Sequence, residues 1–188
     1  SMRRAKLDLA KLAIIRGSQK YPIYIVLSTN GGSISAGQSF VEFAKTIRNV
    51  HTISLFAASM GAGIVQALPG QRYITEDGTL MFHRARISGF GGQIVDGEFE
   101  SRYQYIKKKV LKMELINAER MSLSLQAYKQ KVKDEFWLYG AEAVLKKAAD
   151  AVVDILCTAK LVMAKKKVVQ KTLFGTVEYE ISMCPLIQ

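Results

Sequence analysis

Twice between residues 23 and 68 an apolar, strand-like run leads into a turn of small residues and then into a helix-like segment. This repetition constrains the fold more than any other feature of the chain. The first run, Ile23-Tyr-Ile-Val-Leu27, is continuously apolar, as expected of a strand covered on both faces. Ser28-Thr-Asn-Gly-Gly-Ser-Ile-Ser-Ala-Gly37 follows it, and residues 34–49 continue as a helix carrying Phe40, Phe43, Ala44 and Ile47. The second run, residues 52–56, passes through Ala57-Ala-Ser-Met-Gly-Ala-Gly63 into a short buried helix at Ile64–Leu68. A strand at Arg72–Thr75, a turn at Glu76-Asp77-Gly78 and a strand at Thr79–His83 complete the pattern. Strands alternating with helices in this way predict an α/β domain built on a parallel sheet.

An amphipathic helix over 3–16, stopped at Gly17-Ser18, precedes this core. Arg84–Gly97 is Gly-rich (Gly89, Gly91, Gly92, Gly97) and reads as a projecting segment. A long helix over about 98–121 places Phe99, Tyr103, Ile106, Val110 and Met113 at helical spacing, a core or subunit-interface stripe. Shorter helices at 124–132 and Ala141–Lys147 and a strand near Ala151–Leu156 follow. In the tail, Val177, Tyr179, Ile181 and Met183 alternate with Glu178, Glu180 and Ser182, which predicts a C-terminal β-hairpin turning at Phe174-Gly175-Thr176.

With 188 residues the chain is long enough to bury a core without staples. No apolar run reaches the roughly 18 residues of a membrane span, and the charged start (Arg3, Arg4, Lys6) is unlike a signal peptide. Cys157 and Cys184 have neither metal-ligand spacing nor a framework pattern. They read as free thiols of a reducing, cytoplasmic compartment. Lys and Arg number 27 against 16 acidic residues, for a net charge of +11. The excess is dispersed over Lys107–Lys109, Lys129/Lys131/Lys133, Lys146-Lys147 and Lys165–Lys167, beside no recognition-helix pattern. It reads as solvated helix faces, so that neither nucleic acid nor a membrane is an expected partner.

Ser59 is the candidate nucleophile. A serine at a strand-to-helix turn sits at a helix N-terminus, where partial positive charge favours a developing anion, and its Ala and Gly neighbours leave room for a substrate backbone. An ordinary N-cap with small packing residues is the competing reading. The Gly31-Gly32 pair stands at the end of the preceding strand, where glycines let backbone N–H groups approach an anion. No Gly-Lys-Ser/Thr accompanies it, so phosphate is the weaker ligand. Ligands of open α/β sheets bind at the carboxyl ends of strands, and Gly31-Gly32, Ser59 and His83 all fall at such ends. Of the two histidines, His83 suits a general base, whereas His51 begins a strand before the turn and has no reason to face it.

These stretches resemble the proteolytic subunit of Clp, a peptidase family of crotonase-like fold, over residues of about 5 to 156. Thr29-Asn-Gly-Gly-Ser-Ile-Ser-Ala-Gly37 resembles its Ser-Pro-Gly-Gly-x-Ile-x-Ala-Gly loop, and Ala57-Ala-Ser-Met-Gly-Ala62 matches its nucleophile motif. Leu80-Met-Phe-His83 is similar to the strand bearing its histidine, Gly89-Phe-Gly-Gly-Gln93 to the start of its handle, and Trp137-Leu-Tyr-Gly-Ala-Glu-Ala143 to its Phe-Leu-Ser-Ala-x-Glu-Ala segment. Asn30 replaces the family's Pro, and Arg84-Ala-Arg86 follows His83 where Gln-Pro is usual.

The resemblance implies an α/β fold of repeated ββα units with a Gly-rich handle and a long handle helix over 3–156, to which residues 157–188 add the hairpin. It implies a serine endopeptidase in which Ser59 is the nucleophile, His83 the base, and the backbone N–H groups of Gly32 and Met60 the oxyanion hole. The orienting acid falls at Asp134, with Glu135 as the alternative. It further implies peptide or unfolded-protein substrates, a ring of identical subunits, an ATP-driven unfoldase as partner, and no metal or nucleotide cofactor for the cleavage itself. An inactive scaffold or regulatory subunit and a crotonase-type acyl-CoA enzyme are the other readings of the same pattern.

Overall fold

In the computed structural model, which describes residues 2–16, 21–86, 97–172, 175–184 and 186, the two repeats become adjacent parallel strands with their helices. The order is α1 (Met2–Arg16), β1 (Ile23–Thr29), α2 (Ile34–Lys45), β2 (Val50–Ala58), α3 (Met60–Ala67) and β3 (Arg72–Phe82). There follow α4 (Glu98–Arg120), α5 (Leu125–Lys131), a 3₁₀ turn (Val132–Asp134), β4 (Phe136–Tyr139), α6 (Gly140–Leu145) and β5 (Ala151–Val152). The chain ends with α7 (Ala159–Met163) and the strands β6 (Lys165–Thr172) and β7 (Gly175–Ser182). The fold is mixed α/β with a mainly parallel sheet and is consistent with the expected Clp-like architecture. Ser1–Val153 and Asp154–Gln188 form two compact units. The proposed handle start at Gly89–Gln93, the stop at Gly17-Ser18 and the hairpin residue Phe174 lie outside the described residues.

In the first unit the sheet runs β1-β2-β3-β4, with β5 also on β3. Parallel pairing brings Thr29 beside Ala57 and Ala58 beside Met81, so the carboxyl ends of β1, β2 and β3 meet along one edge. Alpha-helix α3 joins the two buried clusters of this unit. Its Ala62 and Val65 pack with Leu27, Ile74 and Leu80, and its Met60, Ile64 and Leu68 neighbours with Phe40 and Val41. A helix apolar on every side belongs in the interior, and residues 60–66 are all buried.

Four elements differ from expectation. Glu76-Asp77-Gly78 does not break the strand: β3 runs on, with a bulge that shifts its register on β2 from Ser54–Ile74 to Phe56–Thr79. The extra residues let the first half of β3 pair with β5 and the second half with β4. Helix α2 stops at Lys45, short of residue 49, since Asn49 takes a left-handed φ of 61° to start the return into β2. Residues 136–139 form an antiparallel strand, and the strand expected over 151–156 is confined to Ala151–Val152.

In the second unit the predicted hairpin forms, Lys165 pairing with Ser182 and Thr172 with Gly175. Its return corrects the reading of the cysteines. The Ser182 hydroxyl donates to the Val162 carbonyl, and the Met183 N–H to that of Ala164, which carries residue 184 back to the start of α7. There Cys184 and Cys157 stand 5.8 Å apart at Cα and are joined in a disulfide. The inference to a reducing compartment rested on unpaired thiols and loses that footing.

Candidate active site

Strand β2 passes into α3 through Ser59 alone. This residue carries the whole turn at φ 56°, ψ −120°, a conformation that non-glycine residues rarely adopt. Two backbone bonds hold it: its N–H donates to the Met81 carbonyl at 2.8 Å, and its carbonyl accepts from the Gly63 N–H at 3.1 Å. The hydroxyl makes no capping bond to α3, so the ordinary N-cap reading fails. A strained turn that holds a serine side chain away from its own helix is the arrangement of a nucleophile elbow.

The loop after β1 is pressed against this turn. A Cβ on Gly31 would stand 2.5 Å from the Ala58 carbonyl oxygen, and Gly31 and Gly32 both have positive φ. At Gly32 the same direction is open space. The Gly32 N–H and the Met60 N–H, the first of α3, donate to no acceptor among the described residues. Met60 is held from behind, since a Cβ on Gly37 would lie 2.4 Å from its Cγ. Two unused N–H groups on an immobilised backbone, flanking a serine at a helix N-terminus, suit an oxyanion.

His83 follows directly on β3. With Gly32, Ser59 and Met60 it lines one cleft of 170 Å³, whose walls include Phe82 and Met113. Neither the Ser59 hydroxyl nor the His83 ring makes a hydrogen bond among the described residues; tightening of such a contact on substrate binding is usual for catalytic pairs. A larger groove of 460 Å³ between α2, α3 and α4 is rimmed by Lys45, Lys108, Lys109 and Lys112 and contains no histidine. The smaller cleft is the one that brings Ser59 and His83 together.

The acids stand outside the cleft wall. Asp134 ends the 3₁₀ turn and is exposed. Glu135, at φ 68°, accepts from the Trp137 indole N–H at 3.0 Å and lies 3.9 Å from Arg86, itself a cleft residue. Neither carboxylate bonds to His83. The β3–β4 ladder ends at Phe82–Phe136, and His83 and Glu135 are the residues that adjoin this last pair. His51 takes the structural role expected of it: its Nδ1 accepts from the Gln71 N–H, and its ring stacks on Tyr24.

Two cleft residues escape sequence reasoning, Asn117 of α4 and Tyr128 of α5. Both are buried, and the Asn117 amide donates to the Tyr128 hydroxyl at 2.8 Å. Burial pushes the Tyr128 phenol up to about 12, against the opposing Asn117 hydrogen bond. The only signal in the chain is an Asn within the apolar stripe Leu115-Ile116-Asn117-Ala118.

Among the described residues no group of His, Cys, Asp or Glu is placed to hold a metal ion, and no helix is long and apolar enough to cross a membrane. A model of the Clp protease family matches residues 3–156. The chain is 27% identical over 135 residues to the ATP-dependent Clp protease proteolytic subunit of Streptococcus suis (strain 98HAH33), covering 70% of this chain and 68% of the relative. It is 28% identical over 127 residues to ATP-dependent Clp protease proteolytic subunit 1 of Chlamydia trachomatis serovar D (strain ATCC VR-885 / DSM 19411 / UW-3/Cx), covering 65% of each. The chain thus spans about two thirds of the length of these relatives.

Proposed function

The chain belongs to the Clp protease family, and from that premise we propose that it is a serine endopeptidase cleaving peptides or unfolded protein within a ring of its own copies. Family membership supports a proteolytic function; the mechanism is inferred from the cleft. The Ser59 Oγ attacks the scissile carbonyl as His83 takes its proton. The N–H groups of Gly32 and Met60 donate to the tetrahedral oxyanion, each worth roughly a hundredfold in rate or more. Collapse expels the amine, which receives the proton from His83. Water, deprotonated in turn by His83, then releases the acyl group from Ser59.

A carboxylate from the Asp134–Glu135 step orients the imidazole. What supports Glu135 is that it and His83 both adjoin the last pair of the β3–β4 ladder, and that it contacts the cleft residue Arg86. What supports assembly is the exposure of Tyr105, Leu111 and Leu115 along α4, apolar surface of the kind that partners cover. The relatives are named as ATP-dependent, and an ATP-driven unfoldase feeding the chamber belongs to the same reading.

The observation that carries the proposal is the strained Ser59 turn sharing one cleft with His83 and Gly32. The test is labelling of the assembled protein with a fluorophosphonate, comparing the native chain with Ser59→Ala and His83→Ala. Labelling present in the native chain and lost in both variants is expected. A native chain that does not label overturns the serine mechanism.

A further inference from the structure

Bond cleavage uses Ser59, His83 and two backbone N–H groups, and it leaves the innermost polar groups of the cleft without a task. Asn117 and Tyr128 are each 2% exposed. The Asn117 Nδ2 donates to the Tyr128 hydroxyl, while the Asn117 Oδ1 is buried with no partner among the described residues. The Tyr128 hydroxyl, used there as an acceptor, has no acceptor for its own hydrogen among the described residues. Turning the amide over exchanges the roles and leaves the same surplus, an amide N–H donor and a phenol lone pair. Either way the pair holds an unused acceptor and an unused donor, beside a further N–H of the amide. Ile34, Phe82 and Met113 give the same cleft apolar walls, with Arg86 as a cation among its lining residues. Buried polar groups are normally satisfied, and one left open within the cleft of a nucleophile marks a place where a ligand group completes the set.

We propose that Asn117 and Tyr128 are the recognition end of a side-chain pocket that selects a primary carboxamide, glutamine above all, at the residue whose carbonyl Ser59 attacks. The inference rests on Ser59 being the nucleophile. A carboxamide offers a donor and an acceptor side by side on a single neutral plane at the end of a flexible stem. Its NH₂ answers the Asn117 oxygen, and its carbonyl answers the Tyr128 O–H. The two methylenes of glutamine lie along Ile34, Phe82 and Met113. The cleft's 170 Å³ is the size for one side chain, below the roughly 300 Å³ at which small-molecule pockets begin. With its phenol pushed up to about 12 by burial, Tyr128 remains a donor throughout the neutral range. Methionine matches glutamine in length but leaves both polar groups open. Glutamate sets a carboxylate oxygen against the Asn117 oxygen at the buried pair, whereas the cation of the cleft lining, Arg86, is 83% exposed. A site built to hydrogen-bond its substrate discriminates strongly against analogues that cannot.

The test needs no turnover. Three peptidyl diphenyl phosphonates, identical except for a Gln, Met or Glu side chain beside phosphorus, are compared by their rates of covalent addition to Ser59, read by intact-protein mass. A small fluorophosphonate without a side chain is run alongside. The Gln probe is expected to react roughly tenfold faster than the Met probe, or more, with the Glu probe slowest. Tyr128→Phe and Asn117→Leu should each draw the Gln-to-Met ratio toward one. Tyr128→Phe deletes a single oxygen and decides the matter should Asn117→Leu fail to fold. A Met probe that equals or outruns the Gln probe, with the small probe still reacting, overturns the carboxamide pocket and leaves the serine mechanism standing. Failure of the small probe itself removes both.

Discussion

Gly31 packs directly on Ser59: a Cβ on Gly31 would stand 2.8 Å from the Ser59 Cβ, 2.5 Å from the Ala58 carbonyl oxygen and 2.9 Å from the Met60 nitrogen. The loop after β1 therefore closes onto the turn after β2 with no space for a side chain, and at φ +93° it needs glycine for its backbone as well. Gly31→Ala should cost about 2–4 kcal/mol, since overpacking against backbone adds to positive-φ strain. Gly32→Ala meets open space and carries the strain alone, about 1–2 kcal/mol. Denaturant melts of the two variants check the order, and an equal or greater loss for Gly32→Ala would refute the close packing.

Ser59 pays for its position in backbone strain. Ser59→Gly relieves a φ of 56° while making the unfolded chain more flexible. The first effect is of order 1–3 kcal/mol and the second about half to one, so the variant should gain about 1 kcal/mol in stability and lose all fluorophosphonate labelling. A urea midpoint below that of the native chain would show that the turn is not strained.

The acid proposed to orient His83 is open to a direct comparison. Glu135→Gln keeps the size of the side chain and its capacity to accept from Trp137, yet removes the charge. It should slow labelling of Ser59 by about a hundredfold or more if Glu135 orients the base. Asp134→Asn, one step further from the β3–β4 ladder, should then leave the rate within about twofold. The reverse ranking would assign the role to Asp134.

How far these features could be read from the chain depended on whether their cause is local. The strand–turn–helix repeat was legible because an apolar run such as Ile23–Leu27 and a small-residue turn such as Ala57–Gly63 carry their own signal. Strand β4 was not: Phe136–Tyr139 is only four residues long, and it is a strand because Met81 and Phe82 pair with it. The bulge at Glu76–Gly78 carries turn residues, and only the need of β3 to serve two different neighbours tells it from a turn. Gly78 is required there because a Cβ would lie 2.5 Å from the Ser54 carbonyl oxygen. The Asn117–Tyr128 pair and the Cys157–Cys184 bond likewise join residues whose approach is decided by the return of the chain.

Arg72, which is buried, and the more exposed Asp150 form the principal ion pair of the first unit. Asp150 receives the Arg72 backbone N–H at 2.8 Å and two guanidinium nitrogens, and the remaining guanidinium nitrogen reaches Gln66 of α3 and the carbonyls of Arg120 and Lys147. Burial pushes the Asp150 carboxyl up, but the Arg72 hydrogen bonds and charge, helped by Arg120, outweigh it and hold the group below its ordinary value of 3.8. The linkage is that of a depressed carboxylate: its stabilisation is complete above that ordinary value and is lost as pH falls through the lower, folded one. Asp150→Asn should cost about 2–3 kcal/mol at pH 7, less than a fully buried pair because the Asp150 side chain is 28% exposed. Below about pH 4 the native chain should lose stability toward the variant. Urea midpoints at neutral and acid pH that differ by a constant amount would refute this contribution.

The hairpin of the second unit makes the most demanding case for the disulfide. Two strands alone are at best marginally stable in water, and here Val169, Val177 and Tyr179 are exposed, so burial contributes little. The charged rungs help only slightly: Lys165 and Glu180 stand 3.8 Å apart on the surface, where such a pair is worth about 0–1 kcal/mol. The Cys157–Cys184 bond, in contrast, closes a separation of 27 residues and removes about 3–4 kcal/mol of chain entropy from the unfolded state on the loop-closure model. Amide hydrogen exchange along β6 and β7 should therefore be slow in the oxidised chain and become rapid on reduction. The double variant Cys157→Ser/Cys184→Ser should match the reduced form. Protection that survives reduction would mean that contacts other than the disulfide hold the hairpin closed. Thiol titration of the unfolded chain without reductant should find neither cysteine reactive, and two reactive thiols would return both residues to the free state expected from their spacing alone.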